Sequence, residues 1–229
     1  MNKILNYTGL LLVCMLLSGN ILAQYPPPPP GGVNSFTIKL FLQGFYIGNE
    51  TMRQVHEVKD GGLIAPRWDS PIAERFTLEL HTPGQYGQIG STYEVAGINL
   101  LENGTAVVNL PNEGVYYLTI RTRNHLETVS AVAVDLSNTN SYDFTTTASQ
   151  AYGSNQVQLE SGVFGIYAGD VNQDGVVDGS DAALIYNQLR IAAIGYISTD
   201  IDGNGVVDGS DNSIAYNNLR VAVSKIVPN

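Results

Sequence analysis

Two copies of one pattern lie 30 residues apart: DVNQDGVVDGSD at residues 170–181 and DIDGNGVVDGSD at residues 200–211. Each copy has oxygen-bearing side chains at positions 1, 3, 5, 9 and 12 and glycine at position 6. A hard cation such as Ca²⁺ takes about six to eight oxygen ligands. The glycine permits a sharp bend that turns the position-7 carbonyl inward. The repeat therefore predicts two calcium-binding loops, called loop 1 (170–181) and loop 2 (200–211).

The charge pattern supports a cation in each loop. Each loop holds four of the 21 acidic residues, and carboxylates so close together repel one another unless a cation neutralises them. Mg²⁺ fits less well because it demands octahedral geometry and retains its waters. The alternative interpretation is a pair of ordinary Asp/Asn/Gly surface turns, but two matching registers favour the cation.

The residues after each loop have helical spacing, whereas residues 163–167 before loop 1 have the pattern of a strand. Each unit is therefore predicted to be a loop plus an exiting helix, without the entering helix of an EF-hand. Ser180-Asp181 and Ser210-Asp211 are expected to cap these helices. The apolar positions of the two helices are Leu184, Ile185, Leu189, Ile214, Ala215 and Leu219. The helices are expected to pack together and to bury Leu184, Leu189, Ile214 and Leu219.

Residues 169–175, loop 2 and the Tyr-Asn-x-Leu-Arg segments at 186–190 and 216–220 resemble type I dockerin repeats. The resemblance implies a module folded by two Ca²⁺ ions that docks onto a cohesin-like or other surface protein. Carried onto this sequence, it implies calcium ligands at Asp170, Asn172, Asp174, Val176, Asp178 and Asp181. In the second repeat it implies ligands at Asp200, Asp202, Asn204, Val206, Asp208 and Asp211. Dockerins of cellulosomes usually have Ser-Thr-like pairs late in each loop and Lys/Arg pairs in each helix. At these positions this sequence has Gly-Ser in both loops, and Asn187-Gln188 and Asn217-Asn218 in the helices.

The N-terminus is predicted to be a secretory signal at residues 1–23, followed by a Pro/Gly-rich linker at residues 24–32. Lys3 provides the positive charge, residues 10–17 are apolar, and Ala23-Gln24 is a plausible cleavage site. An uncleaved anchor is the less favoured alternative because the apolar run is short of a span of about 20 residues. The only cysteine, Cys14, lies inside the signal, so the secreted chain is expected to lack disulfides. The predicted location is extracellular or at the cell surface.

Residues 33–165 are predicted to form one β-sandwich of Ig-like or Greek-key type. Alternation with period two occurs at 36–42, 76–80 and 115–121, and further strands are predicted at 128–134 and 142–146. The fold class is thus mainly β, with a small α-helical dockerin-like module of two calcium loop-helix units at residues 166–229. Residues 38–46, 123–128 and 151–167 also resemble a recurring C-terminal region of secreted and surface proteins of Bacteroidetes-type bacteria. That resemblance implies attachment or assembly.

No catalytic motif is recognised, and the chain is predicted not to be an enzyme. His56, His81 and His125 lie apart and outside any metal-binding spacing. Glu79 and His81 share one strand face and could share a metal or a proton, but a solvated sheet face is favoured. Residues 123–125 could bind a ligand from a loop, but satisfaction of backbone groups is favoured. The candidate carboxylates for glycosidase chemistry form no marked pair; they are Asp69, Glu74, Glu79 and Glu94.

The favoured function is a secreted, non-catalytic, calcium-binding module for docking, either onto a partner or onto its own β-sandwich. The alternative is an accessory carbohydrate-binding or dockerin-bearing component of polysaccharide degradation. Aromatic candidates for stacking on glycans are Trp68, Tyr86, Tyr93 and Tyr116. The net charge of −10 argues against nucleic acid as a partner. No segment after the signal is apolar enough to predict a membrane span.

Overall fold

The computed structural model describes residues 32–87 and 92–229. The predicted signal peptide at 1–23 and the linker up to residue 31 lie outside these residues. Within the described part, neither α-helix reaches the length and apolar character needed to cross a bilayer.

The described chain is rich in strands, with two helices near its C-terminus. The first strands are β1 (Val33–Lys39), β2 (Tyr46–Gly48), β3 (Thr51–Met52), β4 (His56–Val58), β5 (Ile64–Pro66), β6 (Ile72–His81) and β7 (Thr92–Leu101). The later strands are β8 (Thr105–Pro111), β9 (Val115–Arg121), β10 (Thr128–Val129), β11 (Val134–Asp135), β12 (Ser141–Asp143), β13 (Val157–Glu160) and β14 (Val163–Gly165). The helices are α1 (Gly179–Leu189) and α2 (Gly209–Arg220). Short 3₁₀ turns occupy Asp60–Gly62, Ala148–Gln150 and Tyr152–Ser154.

Two sheets pack face to face as a β-sandwich. One has the order β12-β1-β8, with β12 parallel and β8 antiparallel to β1. The other has the order β10-β9-β6-β7, and β11 also pairs with β9. Alternate residues point inward because successive side chains of a strand leave opposite faces, so Ile38 of β1 and Leu78 and Leu80 of β6 meet in one buried core. The predicted mainly β fold is confirmed.

Most of the predicted strands differ in extent: 76–80 lengthens to β6 (Ile72–His81), and 142–146 shortens to β12 (Ser141–Asp143). The run 36–42 leaves the sheet after Lys39, and Leu42 instead pairs with Ile166 in an isolated bridge. The run 128–134 divides into β10 and β11. The Ser130 hydroxyl accepts the Leu118 N–H at 3.0 Å and donates to the Val132 carbonyl at 2.8 Å, so a side chain interrupts the backbone ladder there.

Each helix begins at the end of its loop, but the capping residue differs from the sequence-based prediction. The N-caps are Asp178 and Asp208 rather than Ser180-Asp181 and Ser210-Asp211. Asp178 is extended, and its side chain accepts the Ser180 N–H at 2.7 Å while Asp181 accepts the Asp178 N–H at 3.0 Å. These reciprocal bonds form a capping box. Loop positions 9 and 12 therefore start the helix as well as belonging to the predicted calcium site.

The two helices pack together through Ile185 and Ala215, which share a small core with Val171, Ile201 and Val207. The prediction that Leu184 is buried is wrong, because Leu184 is 44% exposed. Ile185, one step further round the helix, takes the inward position instead. Three other predicted residues pack, partly buried, on core clusters: Leu189, Ile214 and Leu219.

Candidate metal centre

Loop 1 folds around its own side-chain oxygens. Asp170 accepts the N–H of Asp174 at 3.1 Å on one oxygen and that of Gly175 at 3.1 Å on the other. Asn172 accepts the Asp174 N–H at 3.0 Å, and Asp174 accepts the Val176 N–H at 3.0 Å. Gly175 has φ +90°, the left-handed region that glycine adopts without strain, so the predicted bend at position 6 is present.

Loop 2 repeats this geometry. Asp200 accepts the Gly205 N–H at 3.2 Å, Asp202 accepts the Asn204 N–H at 3.0 Å, and Asn204 accepts the Val206 N–H at 2.7 Å. Oxygens of three of its carboxylates lie within 4.8 Å of one another, the one such acidic cluster among the described residues: Asp200, Asp202 and Asp211. All three residues are buried.

The position-12 carboxylates close the loops by binding both ends. Asp211 accepts the Ile201 N–H at 2.6 Å on one oxygen and the Asp208 N–H at 2.9 Å on the other. Asp181 does the same in loop 1, from Val171 at 2.9 Å and Asp178 at 3.0 Å. The first and last predicted ligands of each loop are brought together in this way, although they are far apart along the chain.

The position-7 carbonyls point away from the neighbouring backbone. Val176 forms an antiparallel bridge with Ser224, but its two hydrogen bonds run from Val177 N–H to Val223 O and from Lys225 N–H to Gly175 O. The corresponding bridge of Val206 with Ile194 uses the Gly205 carbonyl and the Val207 N–H in the same way. The Val176 and Val206 carbonyls thus remain outside these bonds, as the predicted ligand role requires.

The donor set fits a hard cation. Asp200 Oδ1 is buried and has no hydrogen-bond partner in the described structure. Burial raises the pKa of Asp200 to about 7, against the opposing charge of Arg123 and with a further contribution from Asp211. Burial raises the pKa of Asp170 to about 6, with the Asp181 charge adding to it. A divalent cation would offset both the burial of these carboxylates and the repulsion between them, because its positive charge stabilises the ionised form.

Loop 2 rests on the β-sandwich along a contact surface called the junction. Asn124 Nδ2 donates to the Asp200 carbonyl at 2.8 Å, and the His56 N–H donates to the Gly203 carbonyl at 2.9 Å. Tyr196 donates its hydroxyl proton to Glu74 Oε1 at 3.0 Å. The junction also includes four residues whose contacts are described below: Gln43, Gly44, Arg53 and Arg123. The two parts are therefore joined by specific polar bonds, and the sequence-based alternative of docking onto the protein's own sandwich is realised here.

The turn at 43–45 makes the closest approach in the junction. A Cβ on Gly44 would lie 2.6 Å from the Ile201 carbonyl oxygen, and Gly44 has φ +88°. Only glycine fits both the conformation and the space. Beside it, Asn218 Nδ2 donates to Gln43 Oε1 at 2.6 Å and to the Ala168 carbonyl at 2.7 Å. The turn thus reaches α2 and loop 2 together, and no sequence signal identified this role.

The other polar candidates have structural partners. His81 Nε2 lies 2.9 Å from Glu79 Oε2, as predicted for one strand face, and Arg121 binds the other Glu79 oxygen at 3.2 Å. Of the remaining candidate carboxylates, Glu94 is exposed and lies opposite Glu79 in the β6–β7 pairing, Asp69 is exposed, and Glu74 is buried in the junction. His125 is buried, with its ring bonded to the Gln43 carbonyl at 2.9 Å and to Thr122 at 3.1 Å.

None of the aromatic side chains proposed for glycan stacking is fully exposed. The four are half-buried: Trp68, Tyr86, Tyr93 and Tyr116. Trp68 meets Tyr196 edge-to-face at 5.7 Å, and Tyr86 donates its hydroxyl proton to Glu127 at 3.0 Å. The more exposed tyrosines are Tyr186 and Tyr216 on the two helices, each 54% exposed.

Comparison with known proteins identifies the module that carries the two loops. The family model of the dockerin type I domain matches residues 168–220. Among solved structures, a chain of an N-terminal interface mutant of the type II cohesin–X–dockerin complex from Acetivibrio cellulolyticus is 17% identical, with a TM-score of 0.48. That match covers 86% of this chain and 97% of the other.

A C-terminal interface mutant of the same complex is 17% identical, with a TM-score of 0.45, and covers 84% of this chain and 97% of the other. No curated protein matches the sequence. The repeated loops, their exiting helices and the family match agree in extent. Residues 168–220 thus match the type I dockerin domain, the calcium-binding class that the loop pattern predicted.

Proposed function

We propose that this chain is a non-catalytic docking module whose dockerin domain holds two Ca²⁺ ions and binds a cohesin-type protein through the outer faces of α1 and α2. The observation that carries the proposal is the symmetry of those faces. Tyr186 and Tyr216 occupy equivalent positions in the two repeats and are equally exposed, at 54%. The junction covers other parts of the domain and leaves both positions accessible.

Apolar side chains extend this face at the end of each helix. Ile191 is 71% exposed and Val221 is 67% exposed, again at equivalent positions of the repeats. Aromatic and aliphatic residues that remain exposed on a small domain are typical of protein interaction sites. Arg190 and Arg220 lie beside them, also exposed, and offer charged contacts at the rim.

The proposed calcium sites use the twelve predicted ligands, six per loop. Calcium, when bound, would neutralise the carboxylates and tie the ends of each loop together. The chain's own side chains do the rest: Asp181 and Asp211 clamp the loop ends, and Asp178 and Asp208 start the helices that present the tyrosines. Partner binding is therefore coupled to calcium through the orientation of the helices.

Secretion or display at the cell surface is part of the proposal, since residues 1–23 have the pattern of a signal peptide. Recruitment to a polysaccharide-degrading assembly, the alternative predicted from the sequence, would use the same docking face. The resemblance of the sandwich to the Bacteroidetes-type region remains a prediction.

The test is a binding measurement with residues 24–229 and a panel of purified type I and type II cohesin domains, by biolayer interferometry. We expect one or more cohesins to bind in Ca²⁺ and to dissociate in EDTA. Tyr186→Ala with Tyr216→Ala should weaken binding at least about 100-fold, because exposed aromatic anchors dominate such interfaces.

The control is Tyr152→Ala, at a half-buried tyrosine that meets Tyr117 edge-to-face at 5.9 Å and lies outside the dockerin match. This variant should bind as the unchanged protein does. The proposal would fail if no cohesin bound in calcium, or if binding survived both EDTA and the double tyrosine variant.

A further inference from the structure

We propose that Arg53 and Arg123 of the β-sandwich act as built-in counter-cations of loop 2, lowering its calcium affinity below that of loop 1 and keeping loop 2 folded when calcium is absent. The inference rests on the proposed calcium sites, and it makes the two sites of one domain unequal.

The two guanidinium groups reach ligand carboxylates of loop 2. Arg53 Nη1 lies 3.5 Å from Asp202 Oδ2, and Arg123 Nη2 lies 3.8 Å from Asp200 Oδ2. The Asp200 side chain is fully buried and the Asp202 side chain is 10% exposed, so water screens these pairs poorly. The positive charges therefore belong to the electrostatics of the calcium site itself.

Loop 1 has the same acidic count but no such neighbour. Among the described residues, no Lys or Arg forms an ion pair with a carboxylate of loop 1. The methylenes of Lys225 cover Gly175, but its ammonium pairs with Glu127 at 3.7 Å. The carboxylates of loop 1 thus have no ion-pair partner among the described lysines and arginines.

Arg123 adds charge to the site without orienting the ligand. The Gly205 N–H bonds Asp200 at 3.2 Å, just as the Gly175 N–H bonds Asp170 at 3.1 Å in loop 1. Arg123 Nη2 makes no hydrogen bond, whereas its Nε binds Glu74 Oε2 at 3.1 Å. The Asp200 carboxylate would therefore keep its orientation without Arg123. What the arginine adds is electrostatic repulsion of an incoming divalent cation.

The backbone of loop 2 is also held without calcium. Asn124 and His56 bond the carbonyls of Asp200 and Gly203, as described for the junction. Charge compensation and these bonds act in the same direction on the calcium-free loop. Removal of calcium is therefore expected to release loop 1 and with it the start of α1, while α2 keeps its position on the sandwich.

The experiment is calorimetric calcium titration of residues 24–229 in two backgrounds. Asp170→Ala leaves loop 2 as the intact site, and Asp200→Ala leaves loop 1 intact. We expect loop 1 to bind at least about tenfold more tightly than loop 2. Adding Arg53→Gln should raise the calcium affinity of loop 2 about fivefold in the Asp170→Ala background. It should leave the calcium affinity of loop 1 unchanged in the Asp200→Ala background.

Arg53 is the better probe because a third of its side chain is exposed, at 33%, and the carboxylate that it pairs with is the proposed calcium ligand Asp202 itself. Arg123→Gln alone would leave Glu74 buried and uncompensated, so it is paired with Glu74→Gln and should tighten loop 2 in the same sense. The matched control is Arg75→Gln, at an exposed arginine of β6 that bonds Asn99 at 2.9 Å and forms no ion pair with either loop. It should leave both affinities unchanged.

A second readout is hydrogen exchange in EDTA, in which the Gly205 N–H should stay protected while the Gly175 N–H exchanges. The inference is overturned if Arg53→Gln leaves the calcium affinity of loop 2 unchanged or lowers it, or if loop 2 binds calcium as tightly as loop 1. It is also overturned if the Gly205 and Gly175 amides exchange at the same rate in EDTA. If neither loop bound calcium in any background, the proposed function itself would fail.

Discussion

Loop 1 and loop 2 have nearly the same sequence and the same internal hydrogen bonds, but they lie in different surroundings. In loop 1, Asn172, Asp174 and Val176 are exposed, whereas the corresponding residues of loop 2 are buried or half-buried. The difference arises outside the repeats, because the β-sandwich covers more of loop 2 than of loop 1, where Gln173 bonds the His125 carbonyl at 3.3 Å. Local sequence therefore determines the geometry of each loop. Tertiary contacts determine how far its side chains are exposed to solvent and which charged groups lie beside them.

The comparison also separates two surfaces of one small domain. The junction breaks the symmetry of the repeats on the sandwich side, yet the tyrosines on the opposite helical faces remain equivalent. A module of this kind can be fixed rigidly to its own chain and still present a symmetric face to a partner. Three perturbations test how far the two sides are independent, and they follow in order of expected effect.

The largest effect is expected from Gly44→Ala, which would force a Cβ against the Ile201 carbonyl of loop 2. The left-handed backbone adds strain to the clash, so the free energy of unfolding should fall by about 3 kcal/mol. Urea denaturation in saturating calcium measures it. Gly62→Ala is the matched control, since Gly62 has φ +80° with nothing within 4 Å of its Cβ position, and about 1 kcal/mol is expected. Equal losses in the two variants would contradict the close contact at the junction.

Acid should weaken the junction through His125. Burial lowers the pKa of His125 to about 3, against an ordinary value of 6.5. Below pH 6.5 His125 is therefore protonated in the unfolded chain but stays neutral in the folded chain. The free energy of unfolding falls as the pH drops from 6.5 towards 3. The loss from this residue should reach about 2 kcal/mol at pH 5.

Denaturation curves at pH 7 and pH 5 in saturating calcium, compared between the unchanged protein and His125→Asn, isolate this contribution. The variant is expected to be less stable at pH 7 but to lose less on acidification. Carboxylates affect both proteins alike, so the difference between the two losses reports the histidine. Identical losses would show that His125 is protonated in the fold or does not contribute.

The smallest effect comes from comparing equivalent residues of α1 and α2. Asn218→Ala removes the amide that bonds Gln43 and Ala168, and the acceptors left buried should cost about 1.5 kcal/mol. Gln188 holds the same place in α1 but is half-exposed, and Gln188→Ala should cost under about 0.5 kcal/mol. Thermal unfolding in calcium measures both. Matching costs would mean that the sandwich gives α2 no added support.

The loops could be predicted because their interactions are local. The bonds within each loop join residues of one twelve-residue segment, at most ten positions apart. The glycine at position 6 indicates the backbone conformation at the bend. The strand at 115–121 was likewise predicted with its observed limits, since period-two alternation on a half-buried sheet is a local signal. The sequence places the N-cap of α1 two residues too late, at Ser180 instead of Asp178. Both residue types are good N-caps, and only the loop geometry decides between them.

The junction could not be predicted, because its partners are distant in sequence. Residues 123–125 were expected to satisfy backbone groups, and Asn124 does so, but the carbonyl belongs to Asp200, 76 residues away. Arg53 carries no motif at all. Its effect on Asp202 arises only when the sandwich and the second repeat come together. The difference between the surroundings of the two loops is thus a property of the whole chain.

The antiparallel bridges described for the position-7 residues have a consequence for what counts as one repeat. The segment after α1 pairs with loop 2 through Ile194 and Val206, and the segment after α2 pairs with loop 1 through Ser224 and Val176. Each repeat is completed by the tail of the other, and the tail of the second extends beyond the family match, which ends at residue 220. The structural unit is accordingly the pair of repeats with their exchanged tails. A chain cut at Arg220 would lose the segment whose bridge at Ser224 pairs with loop 1.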